Sequence, residues 1–194
     1  MNAVMAKNEM EVVVVVSNKM YRREKSLRIF RQFTRSRLLR QNDDGMEVET
    51  KIMLKLANEL MKEYADTITS SSSSSMSWEN TKLHAAAVCT EIYAAGIYNW
   101  GRTITACVYA LESIRDHFAE DEYNDDINEI AEWLYDDIVN TSWMEKRGWD
   151  EFIRIFEEKE KTANEENNKN ILLISILIYL PVSITFIVLY SLFK

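Results

Sequence analysis

An all-α fold is what this sequence predicts, and three observations carry the expectation. The chain has 194 residues but only four Gly and one Pro, too little turn chemistry for the many hairpins of a sandwich or barrel. Its apolar residues recur at helical spacing in successive stretches. With 47% hydrophobic and 28% charged residues, the composition is that of a globular chain and not of a disordered one. The length suits one domain of about 150 residues with an appendage. The expected division is a basic N-terminal segment with a first helix (1–45), a helical core (46–162), a linker (163–170) and an apolar tail (171–193).

Each element has its own signal. From Val12 to Phe33, apolar Val13, Val16, Met20, Leu27 and Phe30 alternate with basic residues; the later end reads as helix, while the valine run taken alone prefers strand. Met53, Ala57, Met61, Tyr64 and Ile68 lie at offsets 0, 4, 8, 11 and 15, a helical stripe. The serines from Ser70 to Ser75 bury nothing and read as a connection. Glu79 to Ala95 resumes helix through Leu83, Ala87, Val88 and Ile92, and stops at Gly96. Asn99 is an N-cap for the next helix, along which Trp100, Ile104, Cys107, Val108, Leu111 and Phe118 fall at offsets 0, 4, 7, 8, 11 and 18. Ile127, Ile130, Ala131, Leu134 and Ile138 follow at 0, 3, 4, 7 and 11, so Trp100–Phe118 and Asp126–Asn140 are expected as a central hairpin. After Gly148, a short closing helix places Trp149, Phe152, Ile153 and Phe156 at 0, 3, 4 and 7, with Asp150 and Glu151 in the first turn where the helix dipole favours carboxylates.

Charge is divided along the chain. Residues 1–40 carry a net +7 and residues 41–194 a net −15 within the total of −8. The basic residues are interleaved with Leu27, Ile29, Phe30 and Phe33, as on the solvated face of a helix, which argues against a nucleic-acid arm.

Ile171 to Phe193 is a 23-residue run with no charged side chain. As a helix it spans about 35 Å at ~1.5 Å per residue, enough for a hydrocarbon core of about 30 Å. Pro181 is tolerable in a span where hydroxyls such as Ser175, Ser183 and Thr185 satisfy the freed carbonyl. With only Lys194 after it, the run is expected to be a tail anchor, and with no secretory pattern at the N-terminus the folded part is expected to face the cytosol.

Catalysis and metal chemistry find little support. Cys89 and Cys107 sit in apolar helical patterns without metal-ligand spacing. His84 and His117 have no nucleophile motif or Gly-rich loop beside them. Asp121 to Asp126 lacks the central Gly and terminal Glu of an EF-hand loop. Asn140-Thr141-Ser142 matches a glycosylation acceptor that a cytosolic domain would not present to the enzyme. No enzyme activity, cofactor, metal or nucleic acid is expected.

The informative stretch is Asn99-Trp100-Gly101-Arg102. Glycine beside arginine on the first turn of a helix removes bulk where a second backbone could approach and sets a guanidinium next to the gap, which suits a partner helix carrying a carboxylate. Four residues alone also fit internal packing of Gly101 and pairing of Arg102 with one of the chain's own acids.

Together with Ser142-Trp143-Met144-Glu145-Lys146-Arg147-Gly148-Trp149-Asp150-Glu151-Phe152, that stretch resembles the first and second homology motifs of the Bcl-2 family of apoptosis regulators, in the same order and ahead of the same kind of terminal anchor. The resemblance runs from about Met46 to the C-terminus. It implies a helical bundle around a buried hairpin, with a surface groove that holds the amphipathic death-motif helix of a pro-apoptotic relative. It implies that Arg102 meets the partner's aspartate, Gly101 admits its backbone and Asn99 hydrogen-bonds nearby, with Val88, Ile92, Met61, Tyr64, Thr105, Tyr109 and Phe156 lining the groove. Gly96-Ile97-Tyr98 is one residue longer ahead of Asn99 than the family's usual motif. Trp143 and Trp149 read as packing that holds the closing helix.

The family's own death motif is best matched by Leu54-Lys55-Leu56-Ala57-Asn58-Glu59 with Met61 as the last apolar anchor. Asn58 and Glu59 replace Gly and Asp, so this segment suits a groove wall better than a killing ligand. The resemblance therefore implies a pro-survival protein, anchored in the mitochondrial outer membrane or endoplasmic reticulum, that sequesters death-motif helices and forms heterodimers with Bax-like or Bak-like proteins. A Bax-like or Bak-like membrane-permeabilising protein is the alternative within the family. A tail-anchored tether or fusion protein is the alternative outside it, disfavoured because no stripe continues over three or four heptads.

Overall fold

The computed structural model describes residues 2–40, 45–69, 76–93, 96–117, 124–139 and 141–166. All of its regular elements are helical: α1 (Asn2–Leu39), α2 (Val48–Thr69), α3 (Trp78–Ile92), α4 (Trp100–Ile114, continued by a 3₁₀ turn Arg115–His117), α5 (Asn124–Trp133, continued by a π turn Leu134–Ile138), α6 (Thr141–Arg147) and α7 (Trp149–Glu166).

Helix α4 is the centre. Every residue from Ala106 to Ile114 is buried, because α3, α2 and α1 pack on it and the π turn of α5 reaches it from the end. Such all-round burial explains why its apolar residues spill beyond a single stripe. Helix α5 packs chiefly on α1, and touches α4 and α3 through the π turn, where Leu134, Tyr135 and Ile138 are buried. The expected central hairpin is thus one central helix and a second helix held mainly by α1.

The N-terminal segment belongs to the bundle. Leu27, Ile29, Phe30 and Phe33 are buried, while the basic residues between them meet acids of the rest of the chain: Lys25 and Glu49 at 2.7 Å, Arg28 and Glu47 at 2.7 Å, Arg23 and Asp136 at 3.1 Å. The carboxylate of Glu49, hydrogen-bonded to Lys25, raises that ammonium's pKa despite partial burial. The valine run is helical, against its strand propensity; the first Gly is residue 45 and the one Pro is residue 181, so nothing interrupts helix propagation through it.

Local signals set the ends of the other helices. The Ser77 hydroxyl accepts from Asn80 N and caps α3, and the Asn99 side chain accepts from Arg102 N at 2.8 Å and caps α4. Gly96 and Gly148 take φ of +67° and +78° between helices, a conformation cheap only for glycine. The α-helical part of α4 stops at Ile114, and Phe118 lies outside the described residues, as do Ala95 and Asn140. Helix α7 is longer than expected and continues through Glu166, into the stretch read as linker. No helix among the described residues is long and apolar enough to cross a membrane, and residues 171–193 lie outside them.

Candidate functional site

The least covered face of the central helix is the natural place to look for a partner surface. On α4, Gly101, Arg102 and Thr105 are half-buried and Tyr109, Glu112 and Ser113 keep a sliver of exposure, whereas Ala106, Val108, Ala110 and Leu111 have none. Those six positions form one helical stripe. Helices α2 and α3 both lie against α4 and make little contact with one another among the described residues, yet the stripe is covered from Ala106 onward, and only Gly101, Arg102 and Thr105 are half-buried.

Arg102 stands at the start of this stripe. Its Nη1 donates to the carbonyl of Ile92 at 2.9 Å and to that of Ile97 at 3.3 Å. Ile92 ends α3, so the guanidinium caps that helix's carbonyl end and closes the α3–α4 turn, a favourable use of a cation at the negative pole of a helix. Sequence reasoning expected an acid of a partner at Arg102 and missed this second duty. Seven residues separate the end of α3 from the start of α4, and nothing in their sequence marks the backbone carbonyls as acceptors for a long side chain.

The neighbours of Arg102 also serve the fold. The carbonyl of Gly101 accepts from the Thr105 hydroxyl at 3.0 Å, and the amide oxygen of Asn99 is committed to its cap. On α3, Val88 and Ile92 are buried at 8% and 7% exposure; Tyr109 on α4 and Phe156 on α7 retain 5% and 7%. On α2, Met61 and Tyr64 are half-buried against the core. Tyr64 departs from helical geometry, with φ −125° and ψ 15°, and its hydroxyl donates to Glu63 at 3.2 Å. Asn99, Gly101, Arg102 and Ile92 are therefore brought into one hydrogen-bonded turn, Thr105 and Tyr109 continue from it along α4, and Val88 joins through α3. Met61 and Tyr64 flank α4 from α2, while Phe156 belongs to α7, which packs on α2.

The two motifs of the sequence meet in an aromatic cluster. Trp100 meets Trp143 edge-on at 5.2 Å and lies tilted at 5.3 Å from Trp149 and 4.8 Å from Phe152, and Phe152 continues edge-on to Phe156 at 4.9 Å. The Trp149 indole donates to Ser26 Oγ at 2.9 Å, tying α7 to α1. Trp149 is buried, so it packs the closing helix and offers no partner contact.

The far end of the α4 stripe carries a buried ion cluster that sequence reasoning did not find. The Glu112 side chain is 2% exposed and accepts from Arg37 of α1, itself 10% exposed, and from Arg115 at 2.8 Å. Arg37 also donates to Asn58 of α2 at 3.1 Å, and Arg115 to the carbonyl of Arg37 at 3.2 Å. Glu112 and Arg115 are a local i,i+3 pair, but Arg37 and Asn58 lie far from them in the chain, so no local spacing marks the whole cluster.

No arrangement of His, Cys, Asp and Glu able to hold a metal occurs among the described residues. Burial pushes the thiols of Cys89 and Cys107 well above the ordinary 9.0, which makes them poor nucleophiles. His117 lies 2.9 Å from the Thr81 hydroxyl, and His84 is exposed. No family model, no curated protein and no solved structure matches the chain.

Proposed function

We propose that this chain is a pro-survival, Bcl-2-like regulator of apoptosis that holds the amphipathic death-motif helix of a pro-apoptotic relative along α4. The observation that carries the reading is the position of Arg102: a half-buried guanidinium beside Gly101 at the head of the least covered face of the central helix. A partner helix would bury apolar residues over Thr105 and Tyr109, between Met61 and Tyr64 of α2 and Val88 and Ile92 of α3, with Phe156 at the edge. Its carboxylate would take Arg102 in a charge-assisted bond stronger than those to neutral carbonyls. Asn99 acts indirectly in this scheme, by holding the helix start that presents Arg102.

The pro-survival direction is supported by the way α2 is built in. Ala57, Leu56 and Leu60 are buried, and Asn58 accepts from Arg37, so the stretch matching the death motif serves as a wall of the bundle. We place the residues 171–193 in the outer mitochondrial or endoplasmic reticulum membrane, on their length and lack of charge.

Titration of labelled death-motif peptides into the full chain in mild detergent tests the proposal. Arg102→Ala is expected to cost about 2–5 kcal/mol of binding if the charge pair is desolvated, and Gly101→Glu to abolish binding with the circular dichroism unchanged. Equal affinity for wild type and Arg102→Ala would place the partner elsewhere. Expression in cells given a death stimulus should lower cytochrome c release; a rise would identify a permeabilising protein instead.

A further inference from the structure

The turn between α3 and α4 carries an exposed isoleucine beside Arg102. Ile97 is 42% exposed, whereas Val88, Ile92 and Tyr109 keep 8%, 7% and 5%. Its backbone is held at several points. The Ile97 carbonyl accepts from Arg102 Nη1 at 3.3 Å, the Gly96 amide donates to the Tyr93 carbonyl at 3.1 Å, and the Tyr98 ring lies 5.4 Å from that of Tyr93. Asn99 then caps α4. A fixed turn thus presents the side chain, at little further cost in entropy to a partner that covers it. Tyr93 to Asn99 carry no charge, so what the turn offers a partner at Ile97 is apolar contact and no counter-ion.

We propose that Ile97, on the helix-binding reading of Arg102 given above, is a specificity-determining contact of the same site: it packs against an apolar side chain that the partner helix carries within one turn after its carboxylate. The direction of the guanidinium is the first argument. Arg102 reaches back along the chain into the turn, where it bonds to the carbonyls of Ile92 and Ile97. A carboxylate that takes this group comes down over the turn, with the neighbouring residues of its helix above Ile97. The second argument is polarity. A partner running antiparallel to α4 sets its carbonyl pole at the positive start of α4. Its residues over Thr105 and Tyr109 then precede the carboxylate, and those at Ile97 follow it. A charged residue there would be desolvated against an isoleucine without a counter-ion, so the turn selects against it.

The test is a double-mutant cycle read by fluorescence anisotropy on the full chain in mild detergent. The probes are a labelled death-motif peptide with leucine one helical turn after its aspartate, and the same peptide with serine there. Ile97→Ser keeps the carbonyl that Arg102 bonds, and is expected to weaken the leucine peptide about fivefold to tenfold and the serine peptide by less than about twofold. Ile97→Leu retains an apolar side chain and should bind the leucine peptide as wild type does. Leu83 is more exposed, at 69%, but lies nine residues before Ile92 and so on the opposite side of α3; Leu83→Ser should leave both affinities unchanged. Equal losses for the two peptides in Ile97→Ser, as a merely disturbed turn would give, or the same loss in Leu83→Ser, would overturn the contact and leave Arg102 as the site. Failure of wild type to bind either peptide, or an affinity unchanged by Arg102→Ala, would instead remove the helix-binding reading, and the role of Ile97 with it.

Discussion

Arg37 packs against α4 from α1 and Arg102 belongs to α4 itself; they stand towards opposite ends of its least covered face and are held in different ways. Arg37 is nearly buried and clasps the carboxylate of Glu112, which is itself 2% exposed and shared with Arg115. Arg102 is half-buried and bonds to the carbonyls of Ile92 and Ile97. A buried carboxylate and a buried guanidinium cannot part without leaving a charge out of water, so the first arrangement is structural. Bonds from a guanidinium to carbonyl oxygens at a helix end can be exchanged for a carboxylate, because the ionised acceptor forms the stronger bond. One end of the stripe therefore fastens α1, α2 and α4, and the other end suits a site.

The largest expected effect tests the fastened end. Glu112→Ala would leave Arg37 buried without its carboxylate and should destabilise the fold by about 3–5 kcal/mol, read as a lower urea midpoint. A loss below about 1 kcal/mol, the worth of an exposed pair, would erase the difference between the two arginines. Glu112→Gln keeps an acceptor for hydrogen bonds and should lie between the two.

Arg102→Ala comes next. It removes two hydrogen bonds from a charged donor that close the α3–α4 turn, and should lower stability by about 2 kcal/mol. The comparison sharpens if this variant unfolds at clearly higher urea than Glu112→Ala while losing peptide affinity. It breaks if Arg102→Ala is as destabilising as Glu112→Ala and peptide affinity does not change, since Arg102 would then be a structural residue like Arg37.

Much of the helical order was legible because apolar residues at 3.6-residue spacing mark a buried face whatever they pack against. The stripe of α2, the capped start of α4 and the Trp149–Phe156 face of α7 could all be read in this way. The start of α1 could not, since five valines favour strand locally and only the uninterrupted chain around them imposes helix. Helix α6 has seven residues, too few to show a period, and the π turn of α5 depends on contacts with α4 and α3 that no local pattern records. At the site, Asn99 announced its cap, while the bonds of Arg102 to Ile92 and Ile97 were hidden because backbone carbonyls have no sequence signature. The +7 of the N-terminal segment and the −15 of the remainder were visible as numbers. That they neutralise one another across α1 followed only from the packing that sets Lys25, Arg28 and Arg37 against Glu49, Glu47 and Glu112.

The smallest effect separates the frame of the α3–α4 turn from the group it presents. Asn99 accepts from the backbone N–H of Arg102, so Asn99→Ala removes an N-cap and should cost about 1 kcal/mol of stability. Asn99→Ser or Asn99→Asp, which retain a capping oxygen, should restore most of it. If Asn99 acts on a bound helix only through the start of α4, death-motif peptide affinity should follow the same order, with a loss much smaller than that of Arg102→Ala. A peptide affinity that falls as far in Asn99→Ser as in Asn99→Ala, while stability recovers, would show that the amide itself touches the partner, and the site would then begin one turn earlier than the stripe on α4.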